Sequence, residues 1–253
     1  MQNAARADNV HDFYHHPGRA QVACSRCALG ELCLPRGLSP EDTQRFEQIV
    51  HRSRPIQPGE HLFRAGDDFR SVAAVRTGCF KSYVIDQEGQ EQVLGFHFPG
   101  EIIGLDAIHS RRHTANVVAL DTSAVCGLTF ESVTSLSRHM PELQSELFRI
   151  MSRRISELET IAGDLSADER IASFLLSLSA RFSSRGYSDS EFILTMSRRD
   201  IASYLRLATE TVSRVLARFQ KAGVLKVDRK QVCIRDREAL EQLAGHGLAG
   251  ALQ

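Results

Sequence analysis

The 253-residue chain lacks several features that would assign it at once to a class of proteins. It contains no run of 18 uninterrupted apolar residues, so no segment is predicted to span a membrane. The first twenty residues, MQNAARADNVHDFYHHPGRA, include no apolar stretch, which predicts the absence of a secretion signal and a cytoplasmic location. In that reducing compartment, clustered cysteines are expected to serve metal or redox chemistry rather than disulfides.

The elements of a catalytic site are also missing from the sequence. Its histidines are scattered, no paired carboxylates share a defined helical face, and no glycine-rich loop of the phosphate-cradling type occurs. We therefore predict that the protein is not an enzyme.

Net charge is absent as well, because 31 Lys and Arg balance 31 Asp and Glu. The balance hides an asymmetry, since residues 167–253 carry 14 basic against 10 acidic side chains. A hydrophobic content of 42% and a charged content of 25% are ordinary for a globular protein of one or two domains. The mild basic excess indicates a polyanionic partner for the carboxyl-terminal part alone.

Four regions differ in their sequence pattern. Residues 1–37 are irregular and rich in cysteine, whereas residues 38–139 contain short β-branched runs punctuated by glycine, which is typical of a β-roll or jelly-roll. Residues 140–165 have helical periodicity, and residues 166–253 contain short helices and a hairpin. The predicted fold class is therefore α+β, with an N-terminal β-roll, a long helix and a C-terminal winged helix-turn-helix.

The long helix carries a narrow apolar seam. Its spacing follows the rhythm of a coiled coil, with Arg154 in the remaining position, at Leu147, Met151, Leu158, Ile161 and Leu165. The alternative is an amphipathic helix that packs on its own domain. Because charged residues flank a seam this narrow, we predict a homodimer along this helix.

A helix-turn-helix is predicted from the segment MSRRDIASYLRLATETVSRVLARFQKAGVLKV. Ser197 and Asp200 form a capping box that opens a helix over 198–205, and a second helix is predicted over about 209–221. The hairpin-like stretch after Gly223 would form the wing. The buried face of the second helix would consist of Val212, Val215, Leu216 and Phe219.

The opposite face of the second helix carries side chains that can read DNA. Glu210, Ser213 and Arg214 share one face near its N-terminus, the end that such motifs insert into the major groove. Arg can bind a guanine edge with two hydrogen bonds, and Glu can accept from cytosine. The alternative is a helical hairpin whose charged face meets only water. The predicted DNA-binding set is completed by Thr209, Arg218 and the turn residue Arg206.

Three thiols lie on one irregular loop, CSRCALGELC, at Cys24, Cys27 and Cys33. Iron–sulfur clusters and structural zinc sites both use four such ligands. The fourth must come from elsewhere in the chain, and composition alone does not choose among Cys79, Cys126 and Cys233.

The order of β-roll, long helix and winged helix-turn-helix resembles the cyclic-AMP receptor protein superfamily. Within it, the chain is similar to the FNR class, the oxygen-sensing regulators of anaerobic metabolism, from about residue 24 to 245. The residues that carry this resemblance are the spacing Cys24-x-x-Cys27-x5-Cys33 with a distant Cys126, and the segments RPIQPGEHLFRAGD, KSYVIDQEGQEQVLGFH and LSARFSSRGYSDSEFILTMSRRDIASYL.

The resemblance implies an oxygen-sensing transcription regulator with a sensor domain like those that bind cyclic nucleotides. One [4Fe–4S] cluster per subunit would be bound by Cys24, Cys27, Cys33 and Cys126. The anaerobic homodimer would bind double-stranded DNA at a palindrome close to TTGAT-N4-ATCAA, with Arg214 on guanine, and oxygen would destroy the cluster and weaken binding. Cys79 and Cys233 have no counterpart in the motif and are interpreted as half-buried strand residues.

RNA polymerase is a further partner that the resemblance implies, through the loop Asp86–Gln92 and surfaces near Thr122 and Phe192. The alternative function is a regulator of the same superfamily that uses structural zinc, a thiol redox switch or a small-molecule effector.

The chain departs from the family pattern at Leu158, at Arg206 and at the pair His113-Thr114. Leu158 stands where an acidic residue is usual in the seam, which predicts a tighter cluster-free dimer. Arg206 replaces the usual turn glycine at a cost on the order of 1 kcal/mol. His113-Thr114 replaces the Arg-Ser pair that holds a nucleotide phosphate, which argues against cyclic nucleotide as a ligand.

Overall fold

A computed structural model describes residues 23–162 and 165–245, with only the backbone for residues 157–162. The chain divides into two compact units. The first contains the described residues up to Ser82 together with Phe96–Leu147, and the second contains Tyr83–Gly95 and the described residues from Phe148 onward. The four-part division at residues 37, 139 and 165 stays a prediction, and residues 1–22 of its first part lie outside the described residues.

Two four-stranded sheets form the β-roll, with strand orders β1-β8-β3-β6 and β2-β7-β4-β5. Apolar side chains between them, including Phe63, Val75, Phe80 and Val125, are almost fully buried and form the core. The glycine-punctuated runs of the sequence thus become the predicted β-roll. The strands are β1 (His51–Arg52), β2 (His61–Phe63), β3 (Ser71–Thr77), β4 (Phe80–Ile85), β5 (Glu91–His97), β6 (Ile102–Ile103), β7 (Asn116–Ala119) and β8 (Ala124–Thr129).

Helices lie before, within and after the β-roll in the sequence. Ser39 caps the first of them, because its side chain accepts a hydrogen bond from the Asp42 N–H, and Pro40 occupies the first turn, where its missing N–H costs nothing. Phe46 is the residue of this helix that is buried. The helices are α1 (Pro40–Gln48), α2 (Ala107–Ser110), α3 (Phe130–Ser137) and α4 (Pro141–Ala162).

The second half of the chain forms the predicted winged helix-turn-helix. Helices α6 and α7 have the bounds that the sequence predicted, because their ends are set by short-range signals such as the Ser197–Asp200 capping box. A three-stranded sheet of order β10-β11-β9 supplies the wing. The elements are α5 (Ala167–Ser183), β9 (Glu191–Ile193), α6 (Arg198–Leu205), α7 (Thr209–Lys221), β10 (Leu225–Asp228), β11 (Gln231–Ile234) and α8 (Arg237–Ala244). In the described part of the chain, no helix is both long and apolar enough to cross a bilayer.

His113 lies inside the β-roll with 3% of its surface exposed. Its ring stacks on Phe63, with centroids 4.0 Å apart, and meets the edge of Phe69 at 5.8 Å. Burial lowers the pKa of His113, and the carboxylates of Asp106 and Asp67 only partly oppose this effect. A neutral imidazole between two aromatic rings offers no positive charge to a nucleotide phosphate.

We predict that His113 makes the stability of the fold sensitive to acid. An unfolded imidazole titrates near pH 6.5, whereas the native one resists protonation, so the unfolded state binds more protons below that pH and the free energy of unfolding falls. His113→Gln removes this dependence. Urea denaturation of both proteins at pH 7.5 and 5.5 checks it, and an equal loss of stability in the two proteins would contradict it.

Candidate metal centre and nucleic-acid interface

One face of the sheet β1-β8-β3-β6 forms the floor of the candidate metal centre. Cys126 of β8 pairs with Arg52 of β1 on one side and with Ala74 of β3 on the other. Directly opposed residues of an antiparallel pair project from the same face, and so do residues two apart on one strand. Cys126 and Leu128 therefore share this face with Arg52 and Ala74.

The loop that carries the other three thiols is coiled by its own backbone. The carbonyl oxygens of Cys24, Cys27 and Cys33 each accept a hydrogen bond from the N–H three residues ahead, at 3.0–3.1 Å. Two short 3-10 helices, Cys24–Arg26 and Gly30–Leu32, result from these turns. Because the loop turns back on itself at each cysteine, the three thiols remain close together.

Four thiols meet at one cavity of about 340 Å³ between this loop, α1 and the sheet face. Its lining includes Cys24, Cys27, Cys33 and Cys126, with Phe46 from α1. Cys79 is instead almost fully buried in the loop between β3 and β4, with its thiol toward the Phe80 carbonyl, so its prediction as a half-buried strand residue is wrong. Cys233 is half-buried on β11 of the wing, as predicted. The structure thus brings together the four cysteines that the family resemblance implied, and neither of the other two.

Burial disfavours ionisation of three of these thiols, those of Cys24, Cys33 and Cys126. Burial, followed by the proximity of Cys126, raises the pKa of Cys24 to about 11 and that of Cys33 to about 12. Burial also raises the pKa of Cys126, although the guanidinium groups of Arg52 and Arg76 oppose this effect. A metal ion or cluster that binds these sulfurs as thiolates must therefore displace their protons.

Two kinds of group take four thiolates, a structural zinc ion and an iron–sulfur cluster. A single zinc ion requires sulfurs about 2.3 Å from one point. Among the described residues, no three His, Cys, Asp or Glu side chains converge closely enough for one metal ion. Four sulfurs spaced around a cavity suit a polynuclear iron–sulfur cluster, which is several ångströms across and binds thiolates at its corners.

The candidate nucleic-acid interface is the N-terminal half of α7. Val212, Val215, Leu216 and Phe219 are buried, as predicted, which leaves Glu210, Ser213, Arg214 and Arg218 exposed. The Ser213 hydroxyl donates to the Thr209 carbonyl at 3.1 Å, and Arg214 donates to Thr211 at 3.2 Å. Thr209 is half-buried, and Arg218 forms an ion pair with Asp168 of α5.

The turn between α6 and α7 keeps its left-handed geometry without glycine. Arg206 has φ 54° and ψ 47°, and its side chain is exposed. The Leu207 N–H donates to the Ala202 carbonyl at 2.9 Å, and Arg170 of α5 donates to the carbonyls of Leu205 and Leu165. These hydrogen bonds fix the turn, so the strain at Arg206 is tolerated.

Comparison with known proteins identifies the family. The model of the Crp-like helix-turn-helix domain matches residues 169–243, and that of the cyclic nucleotide-binding domain matches residues 53–139. The fumarate and nitrate reduction regulatory protein of Escherichia coli (strain K12) is 43% identical over 232 residues, which cover 90% of this chain and 93% of that protein. This chain belongs to the FNR family.

One further relative and one solved structure are also similar to this chain. The protein of the same name from Yersinia pestis is 42% identical over 232 residues, covering 90% of this chain and 93% of that protein. The solved structure of FixK2 from Bradyrhizobium japonicum aligns with a TM-score of 0.69 at 27% identity, over 77% of this chain and 97% of that one. The chain is therefore a DNA-binding transcription regulator of the CRP/FNR superfamily, and the family predicted from its sequence is confirmed.

In this FNR-family chain, helix α4 has an exposed apolar stripe in a different register from the predicted seam. Phe148, Met151 and Ile155 are 61%, 40% and 57% exposed, and they follow one another by three and four residues. Leu147 is half-buried, and Leu165 lies after the helix, which ends at Ala162. The side chains of Leu158 and Ile161 lie outside the described ones.

The predicted seam does not include Phe148 and Ile155, because it places Leu147 and Arg154 at the neighbouring positions. The Arg154 side chain instead reaches the hairpin of β4 and β5, where it donates to the Leu94 carbonyl at 3.4 Å. Ile155 lies four residues after Met151 and three before Leu158, so heptad spacing alone could have found it.

The loop Asp86–Gln92, one of the surfaces expected to meet RNA polymerase, contacts helix α6. Ser203 accepts from the Val93 N–H at 2.9 Å and donates to the Glu91 carbonyl at 2.8 Å. The Gln92 amide donates to the Ser203 carbonyl at 2.8 Å. Of the other two expected surfaces, Thr122 is exposed, whereas Phe192 is buried and its neighbour Ile193 is 64% exposed.

Arg206 provides a test of both backbone strain and phosphate binding. Arg206→Gly relieves the left-handed strain, so we predict a gain in stability on the order of 1 kcal/mol, measured by urea denaturation. Loss of a phosphate contact would also reduce the slope of log affinity against log salt by about one. Arg206→Gln separates the two effects, because it changes the salt slope without relieving the strain. Unchanged salt slopes in both variants would rule out a phosphate contact.

Proposed function

We propose that this FNR-family regulator senses oxygen through a [4Fe–4S] cluster, one per subunit, bound by Cys24, Cys27, Cys33 and Cys126. The observation that carries the proposal is the single cavity at which these four thiols meet. Bound there, the cluster would supply an oxygen-labile link between the N-terminal loop and strand β8.

The four cysteines have distinct structural tasks in this proposal. Cys24, Cys27 and Cys33 belong to a loop whose fold depends on local turns, whereas Cys126 belongs to a central strand of the β-roll. Ligands from both segments hold the loop against the sheet. When they are released, the loop retains only its own contacts with α1 and the sheet, so its position becomes easier to change.

The exposed stripe of α4 supports a homodimer. Phe148, Met151 and Ile155 are large apolar side chains on one helical face, and the same spacing continues to Leu158 along the backbone. A symmetric pair of such helices would bury both copies of the stripe. Two recognition helices would then be available for two half-sites.

The proposed DNA target is a palindrome close to TTGAT-N4-ATCAA, in which Glu210, Ser213 and Arg214 read base edges. Their exposure at the N-terminal end of α7 supports this assignment, because that end enters the major groove in helix-turn-helix proteins. We propose that the dimer acts in the cytoplasm with RNA polymerase, which would contact the exposed parts of the loop Asp86–Gln92 and the area around Thr122 and Ile193.

Analysis of iron and sulfide tests the cluster. After anaerobic purification, the wild-type protein should contain iron and acid-labile sulfide and show a broad visible absorbance that bleaches in air. Cys126→Ser should lose most of the iron, because the cluster needs four thiolates, whereas the matched control Cys233→Ser should retain it. A colourless wild-type protein with stoichiometric zinc would overturn the proposal in favour of a zinc-based regulator.

Sedimentation tests the dimer stripe and the effect of Leu158. We predict that the cluster-free wild-type protein is dimeric at micromolar concentration, because Leu158 continues an apolar stripe. Ile155→Glu should weaken the dimer by at least roughly 100-fold, since each of the two buried copies contributes about 1.5–3 kcal/mol. Leu158→Asp should act in the same direction, and Arg153→Glu on the opposite helical face should leave the dimer intact. A cluster-free wild-type monomer would contradict the prediction.

A further inference from the structure

We propose that Arg52 is a positioning residue of the metal centre, whose fixed positive charge stabilises the four thiolates of the bound cluster and sets its reduction potential. This inference rests on the proposed [4Fe–4S] function and deepens it, because it assigns a role to a residue that is not a ligand.

The position of Arg52 is fixed by the sheet. It stands directly opposite Cys126 on the neighbouring strand, so both side chains project from the same face. The next residue, Ser53, locks this register, because its N–H donates to the Val125 carbonyl at 2.9 Å and its hydroxyl accepts from the Val125 N–H at 2.9 Å. The backbone and the base of the Arg52 side chain are thereby held beside the fourth ligand.

The Arg52 side chain belongs to the wall of the cavity. It lines the space at which the four thiols meet, and its Nη1 atom is shielded from solvent. A charge shielded in this way is screened less by salt and water than one on the surface. Arg52 can therefore act on the cluster more strongly than an exposed arginine at a similar distance.

Charge balance explains why the cavity needs a cation. The four thiolates bring more negative charge than the iron and sulfide core neutralises, and an apolar wall such as Phe46 and Leu128 cannot compensate for it. Among the described lining residues there are three arginines, Arg26, Arg52 and Arg76, and no carboxylate. The carboxylate of Glu47 in α1 lies near enough to Cys24 to disfavour its thiolate form. More positive charge is therefore needed to stabilise that thiolate.

Of the three arginines that line the cavity, Arg52 is the one placed to act on both the cysteine loop and strand β8. Its charge reaches Cys24 of the loop as well as Cys126 of β8, whereas that of Arg76 reaches Cys126. Arg26 lies on the loop and is exposed. The geometry therefore makes Arg52 the principal counter-charge and Arg76 the second.

The test uses the full-length protein after anaerobic reconstitution with iron and sulfide. Arg52→Gln removes the charge, Arg52→Lys retains it, and Arg36→Gln removes an exposed arginine near the same loop that does not line the cavity. Three quantities are measured: iron and sulfide per subunit, the rate of iron loss to a chelator without oxygen, and the midpoint potential for uptake of one electron from a mediator dye.

Arg52→Gln should lose iron about 10- to 100-fold faster than the wild-type protein, the range typical of residues that support metal ligands. Its midpoint potential should become more negative, because a cluster deprived of a nearby cation accepts an electron less readily. Arg52→Lys should lie close to the wild-type protein, and Arg36→Gln should match it in all three measurements.

Two results would overturn the role of Arg52. In one, Arg52→Gln has the potential and iron retention of the wild-type protein; in the other, Arg52→Gln and Arg52→Lys are equally impaired, so that shape rather than charge is responsible. If Arg52→Gln does not fold, Arg76→Gln must shift the potential in the same direction, and an unchanged potential overturns the electrostatic account. A wild-type protein that takes up no iron refutes the proposed function instead.

Discussion

The structure depends most on the convergence of four half-buried thiols, contributed by two segments that are far apart in the sequence, at one cavity. Burial raises the pKa of Cys24, Cys33 and Cys126, so the cavity on its own favours protonated thiols. A bound group that requires thiolates must offset this preference, and its binding energy is therefore coupled to the packing of the loop on the sheet. Such coupling allows chemistry at one cavity to influence how a whole segment packs.

Helix α4 has two apolar faces. Leu143 and Ile150 are buried within the subunit, whereas Phe148, Met151 and Ile155 remain exposed. The buried side chains and the exposed stripe therefore lie on different faces of the same helix. In a symmetric dimer, a small change in the packing free energy of the stripe occurs in both subunits. A total shift of a few kcal/mol is enough to change the population of dimers.

Much of the fold could be predicted because its signals are local. The bounds of α6 and α7 follow from a capping box, a turn and a clear apolar face, all within one short segment. The seam of α4 stays a prediction, because over a few turns the spacing fits both Leu147, which is half-buried, and Phe148, which is exposed. The position of Arg52 beside Cys126 results from a strand pairing between distant parts of the chain. A sequence pattern within either strand contains no sign of it.

The hydrogen bonds of Ser203 have a structural consequence. Three groups of the β4–β5 hairpin form hydrogen bonds with Ser203 of α6, the helix that precedes the recognition helix. They are the Glu91 carbonyl, the Gln92 side chain and the Val93 N–H. This clamp groups the hairpin residues Tyr83–Gly95 with the DNA-binding half of the chain, although they lie among the β-roll strands in the sequence.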